Sequence, residues 1–167
     1  LIPNRITKIK LMNYDSKADT LEHIKRVQDL LTMAAIELVT RGVLHDASKL
    51  ESPEKELFDL YSPLLKDLKF GSDEYIDSLD KLKVALDHHY EHNSHHPQHY
   101  KNGINDMTLF DIIEMFIDWQ AASERTKNGN IIDSIELNEK RFNINPQLTG
   151  IFKNTVKFLN NETENRR

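Results

Sequence analysis

Apolar residues recur at intervals of three and four along most of the chain, and no stretch alternates convincingly with a period of two, so the pattern predicts helices and no strands. The first predicted helix runs from Ser16 to Val39. Leu21, Ile24, Val27, Leu30, Leu31, Ala34, Ala35 and Leu38 form one stripe along it, and Gly42 stands just past its end. A short second helix is expected over "SPEKELFDLY", with Ser52 as cap and Pro53 in the first turn. The third runs from Ser72, its cap, to Tyr90, with Ile76, Leu79, Leu82, Val84, Ala85 and Leu86 as its apolar positions. Residues 91–106, rich in Asn and His and interrupted by Pro and Gly, read as loop. A strongly apolar helix follows from Met107 to Asn128, capped by Thr108 and stopped by Gly129. Two more lie near 133–142 and 146–161, and residues 160–167, "NNETENRR", read as a frayed polar tail. The expected fold is therefore all-α: one domain over residues 1–167, a bundle of about six to seven helices.

Composition narrows what such a bundle could do. At 167 residues it can bury a core without covalent staples. Its 27 acidic and 22 basic side chains give a formal charge of −5, which argues against a nucleic-acid partner and leaves small molecules as the expected ones. Cysteine is absent, so any metal must be held by imidazole and carboxylate. No apolar run approaches the roughly 18 residues of a membrane helix, and "LIPNRITKIKLMNYD" lacks the apolar block of a signal peptide. A cytoplasmic protein is expected.

The histidines bring in chemistry. Of eight, six (His88, His89, His92, His95, His96 and His99) fall within "HHYEHNSHHPQH". On the helix from Met107, a rotation of about 100° per residue places Asp111, Glu114, Asp118, Ala122 and Arg125 along one stripe. Leu109, Ile112, Ile113, Phe116 and Trp119 take much of the remaining surface. Asp118 is thus expected to be partly buried and to need a cation, either Arg125 or another basic side chain, or a metal ion. In "RGVLHDASKL", His45 and Asp46 sit side by side at a helix end, where both can turn toward one ion. With His23 from the neighbouring helix and Asp118 they would form a two-nitrogen, two-oxygen set suited to divalent Mn, Fe, Co, Ni, Zn or Mg.

A helical His, an adjacent His-Asp pair and a distant Asp together resemble the HD-domain superfamily of metal-dependent phosphohydrolases; the matching positions are His23, His45, Asp46 and Asp118. Lys49 stands where many members carry the lysine of an HD-x-x-K segment, which implies a phosphate contact. "HHYEH" followed by "MTLFDIIEMFIDWQAAS" is similar to the two-metal branch, which implies His89 and His95 or His96 as ligands of a second ion. The N-x-H-H-P run is similar to uncharacterised HD-like proteins of bacteria and phages. The resemblance implies hydrolysis of a nucleotide or related phosphate ester by a metal-activated water, with Lys49 and a loop histidine offsetting phosphoryl charge. One of His88, His89, His95 and His96 would protonate the leaving group, and Glu91 or Asp111 would orient water. Two alternatives stay open: an HD-type di-iron oxygenase, and a non-catalytic metal- or nucleotide-binding protein. A homodimer is a further implication of the family.

Overall fold

The computed structural model describes residues 15–67, 73–125 and 129–165, and every regular element among them is helical. Two compact units divide the chain, residues 1–37 and residues 38–167. Helix α1 (Lys17–Leu44) supplies the first unit's regular structure and, with its last turns, begins the second. Among the described residues of the first unit the predicted apolar stripe is exposed: Leu31 and Leu21 are 65% and 55% exposed.

α1 runs past Val39 and through Gly42, beyond its predicted end. A glycine inside a helix costs about 1 kcal/mol relative to alanine, too little to stop one flanked by residues such as Arg41 and Leu44. The helix stops where the backbone turns left-handed, at Asp46, with φ 57°.

The second unit continues with a 3₁₀ turn (Ala47–Leu50), α2 (Glu54–Asp67) and α3 (Asp73–His92). Two more 3₁₀ turns, Pro97–His99 and Gly103–Asp106, lie within the segment expected to be loop, and α4 (Leu109–Glu124), α5 (Ile131–Phe142) and α6 (Pro146–Asn165) complete the order. α2 packs along α3, while α5 packs on both α4 and α6. Ser72, the expected cap of α3, lies outside the described residues, as do the side chains of Ile76 and Leu79. Leu82 and Ala85 are buried as their spacing predicts, whereas Val84 is exposed. α6 continues through Asn165, so residues 160–165 of the polar segment expected to fray are helical, and the last two lie outside the described residues.

The core forms where α4, α5 and α6 meet. Met115 and Phe116 from α4, Ile131 and Ile135 from α5, and Phe152 and Val156 from α6 are buried together. The Phe116 and Phe152 rings stack with centroids 5.3 Å apart. α4 is fixed at its start by the expected cap: the Thr108 side chain accepts from the Asp111 amide, and the Asp111 carboxylate accepts from the Thr108 amide. Since α4 buries one side in this core, its acidic stripe faces elsewhere. No helix among the described residues is long and apolar enough to cross a membrane.

Candidate metal centre

Three stretches of the second unit deliver the site. The end of α1 gives His45 and Asp46; Asp46 holds φ 57° and ψ 16°, a left-handed conformation uncommon outside glycine that Asp tolerates better than most residues. The last turn of α3 and the residues after it give His89, His95 and His96. α4 gives Glu114 and Asp118, four residues apart and so on one face.

Two glutamates set the direction of the rings. Glu114 Oε1 accepts from His45 Nδ1 at 2.9 Å and lies 3.2 Å from His95 Nδ1. Glu54, completely buried, accepts from His89 Nδ1 at 2.9 Å and from His88 Nδ1 at 2.7 Å. With Nδ1 of His45, His89 and His95 turned to a carboxylate, the Nε2 atoms turn toward the aspartates. His89 Nε2 and His95 Nε2 come within 3.3 and 3.5 Å of Asp46 Oδ1, and His45 Nε2 lies 3.6 Å from both Asp46 Oδ2 and Asp118 Oδ1. His96 Nε2 is 2.8 Å from His89 Nε2.

Two overlapping groups of ligand atoms result: Asp46, His89, His95 and His96, and His45, His95 and Asp118. Asp46 Oδ1 and His95 Nε2 are buried without any hydrogen-bond partner, although they face each other at 3.5 Å. Buried polar atoms are rarely left so, and each such atom costs about 1–3 kcal/mol. A cation between them would satisfy both. The spacing fits as well: donors about 2.1 Å from one ion stand roughly 3.0–3.4 Å apart in octahedral or tetrahedral arrangements, close to the distances around Asp46. These residues could hold a metal ion.

Charge tells the same story. Burial alone would raise the Asp46 carboxyl, but His89, His95 and Lys49 hold it well below the usual carboxylate range. Asp118 is likewise lowered: burial pushes it up, and His45 more than offsets that. Asp118, against the opposing effect of burial and aided by Glu114 and Asp46, raises the His45 imidazole to about 9, so without a metal a proton occupies the acidic pocket. Burial, with His95 and His89 alongside, pushes His96 down to about 3, which leaves it neutral with a lone pair to donate.

The expected residues divide accordingly. His45, Asp46, Asp118, His89, His95 and His96 are brought together. His23 belongs to the first unit, where its side chain is exposed, and both ligand groups are drawn from the second. Lys49 Nζ is bound to Asp46 Oδ2 at 2.6 Å. His88 is held by Glu54 and stacks on His92, in neither group. Glu91 and Asp111, expected to orient water, belong to neither ligand group. Glu91 is exposed on α3. Asp111 is buried and its oxygens are filled: Arg41 donates at 2.8 Å, Ser94 Oγ at 2.7 Å, Tyr100 OH at 2.8 Å and the Thr108 amide at 2.8 Å. Burial would raise its carboxyl, but Thr108, Ser94 and Tyr100 keep it well below the usual range. Its task is to lock α4 to the loop and to α1. Arg125, the expected ionic partner of Asp118, caps the carboxyl end of α4 and is exposed.

Sequence reasoning missed Glu54 and placed Glu114 on the acidic stripe without a role. Glu114 stands on the same stripe as Asp118, and that shared face was the available signal. Glu54 looks like any acid in a helix's first turn, and only folding sets it beneath His88 and His89.

No curated protein and no solved structure matches the chain. Residues 12–165 match a family of unknown function, DUF5662, and with nearly the whole chain covered the protein belongs to that family.

Proposed function

We propose that the protein is a metal-dependent phosphohydrolase of the HD-domain type, acting on a phosphate ester, with nucleotides as the class the resemblance implies. The single observation that carries this reading is the pair of buried atoms without a hydrogen bond, Asp46 Oδ1 and His95 Nε2, set among imidazoles whose other nitrogens face Glu54 and Glu114. Asp46, His89, His95 and His96 would hold one divalent ion, and His45 and Asp118 with the shared His95 a second. When bound, such an ion supplies a Lewis acid that lowers the pKa of water toward neutrality and withdraws charge from a phosphoryl oxygen.

The chain's own residues do the rest. Glu54 and Glu114 keep the rings in one orientation and tautomer, as carboxylates behind ligating histidines do. Lys49, resting on Asp46 with its side chain about two-fifths exposed, would swing toward a phosphate. Among the imidazoles considered for leaving-group protonation, His89, His95 and His96 belong to a ligand group, which leaves His88.

Elemental analysis of untagged protein, with turnover measured on a panel of phosphate monoesters, diesters and nucleotides, tests the reading. Asp46→Ala and Asp118→Ala should each lose metal and turnover together. A metal-loaded protein inert on the whole panel would overturn the assignment. Six distinct ligands spread over two overlapping groups also suit the di-iron oxygenase reading. Iron as the dominant metal of anaerobically purified protein, with an absorbance change on admitting air, would favour that chemistry instead.

A further inference from the structure

Beside the second ligand group lies a cavity of about 380 Å³ between the last turns of α1 and the face of α4. That volume is at the lower end of the roughly 300–1,000 Å³ range of small-molecule sites. His45 and Asp118 form part of its lining, so the cavity opens directly onto the proposed metal centre. From this cavity we infer the substrate class, an inference that rests on the phosphohydrolase reading above: the ester carries an apolar organic group, which the cavity receives while the phosphate sits at the metal centre.

The walls decide the chemistry. Leu38 and Gly42 come from α1, and Ile113, Ile117 and Ala121 come from α4. Among the lining residues there is no Phe, Tyr or Trp to stack on a base, and His45, which borders the cavity, is held by Glu114 in the proposed metal centre. Two further charged residues line the cavity, Arg41 and Glu114, and they are committed elsewhere. Arg41 Nη1 donates to Glu114 Oε2 at 3.1 Å and to Asp111 Oδ1 at 2.8 Å, while Glu114 Oε1 accepts from His45. A ribose or the edge of a base would therefore give up hydrogen bonds to water and find few in return. An alkyl or alicyclic group gives up none and gains from burial. Gly42 adds room: a Cβ built there meets nothing within 4 Å.

Alkylphosphonates, which resist hydrolysis, are the probes. Titration calorimetry of the manganese-loaded full chain should show affinity rising about fourfold per methylene from methylphosphonate to hexylphosphonate. A nucleoside monophosphate should bind more weakly than hexylphosphonate. Gly42→Leu places a side chain in open space and should flatten the chain-length series while manganese stoichiometry stays unchanged. Ile117→Gln, at a position 47% exposed, should lower hexylphosphonate affinity several-fold by polar substitution alone. Methylphosphonate binding with no dependence on length, a nucleoside monophosphate binding tighter than hexylphosphonate, or an unaltered series in both variants would overturn the inference and leave the phosphohydrolase reading standing. Failure of every phosphonate to bind the manganese-loaded protein would remove that reading too.

Discussion

On one side of α4, Met115 and Phe116 disappear into an aliphatic and aromatic core; on the other, Glu114 and Asp118 enter a cluster of imidazoles and carboxylates. The core needs nothing more than what the chain supplies. Its side chains are removed from water and touch one another, and burial alone accounts for their arrangement. The cluster is different: Glu54 and Glu114 are matched to ring nitrogens, yet Asp46 Oδ1 and His95 Nε2 face each other with no hydrogen bond. One helix thus borders a region complete in itself and a region shaped for something added. Residues of the first should govern folding, and residues of the second should govern what binds.

The sharpest break of that contrast comes from the core. Phe152→Ala should lower stability by about 3–5 kcal/mol, read from the denaturation midpoint, yet leave metal per folded molecule unchanged. In the cluster, Asp46→Ala should weaken metal binding more than about 100-fold, because changes one layer outside the ligands already cost about 10–100-fold. An equal loss of metal from Phe152→Ala, measured on protein that is still folded, would erase the distinction.

pH sharpens it further. His45 is raised from 6.5 to about 9, so in the metal-free protein its contribution to stability is full below about pH 6.5 and is lost as pH rises through 9. A metal must displace that proton, so affinity should move the opposite way, increasing about tenfold per pH unit up to about 9. Metal titrations at pH 7 and pH 8 measure this slope, and His45→Asn should remove the proton's share of it.

Glu114→Gln should weaken metal binding by about 10–100-fold while the core keeps its denaturation midpoint within about 1 kcal/mol. No change in metal affinity would mean that the carboxylate behind His45 and His95 sets no ring orientation. The smallest effect belongs at Gly42, where an added methyl meets nothing within 4 Å inside a continuous helix. Gly42→Ala should raise stability by about 0.5–1 kcal/mol through helix propensity, detectable as a small upward shift in melting temperature.

Much of the architecture was legible from local spacing. Periodicity identified the helices, and Thr108 was recognisable as the cap of α4 because capping chemistry is written within four residues. Boundaries were harder where one residue's preference was weak against its neighbours, as at Gly42, and where polar residues past Leu159 continued a helix. Within the site, the adjacent His45 and Asp46 and the acid in an apolar helix announced themselves by type and position. The roles of Asp111, Glu54 and Glu114 did not.

Local pattern, then, was enough to specify a helical chain, to restrict the donors open to any metal to imidazole and carboxylate, and to mark the helix that carries Asp118. The tertiary structure decided which acid faces an imidazole and which is consumed in a cap, which ring nitrogens are fixed, and where the apolar cavity opens. The physical reason is range. Helix periodicity and capping are settled among residues a turn apart, whereas Glu54 meets His89 across 35 positions and Glu114 meets His45 across 69, distances along the chain that only packing can close.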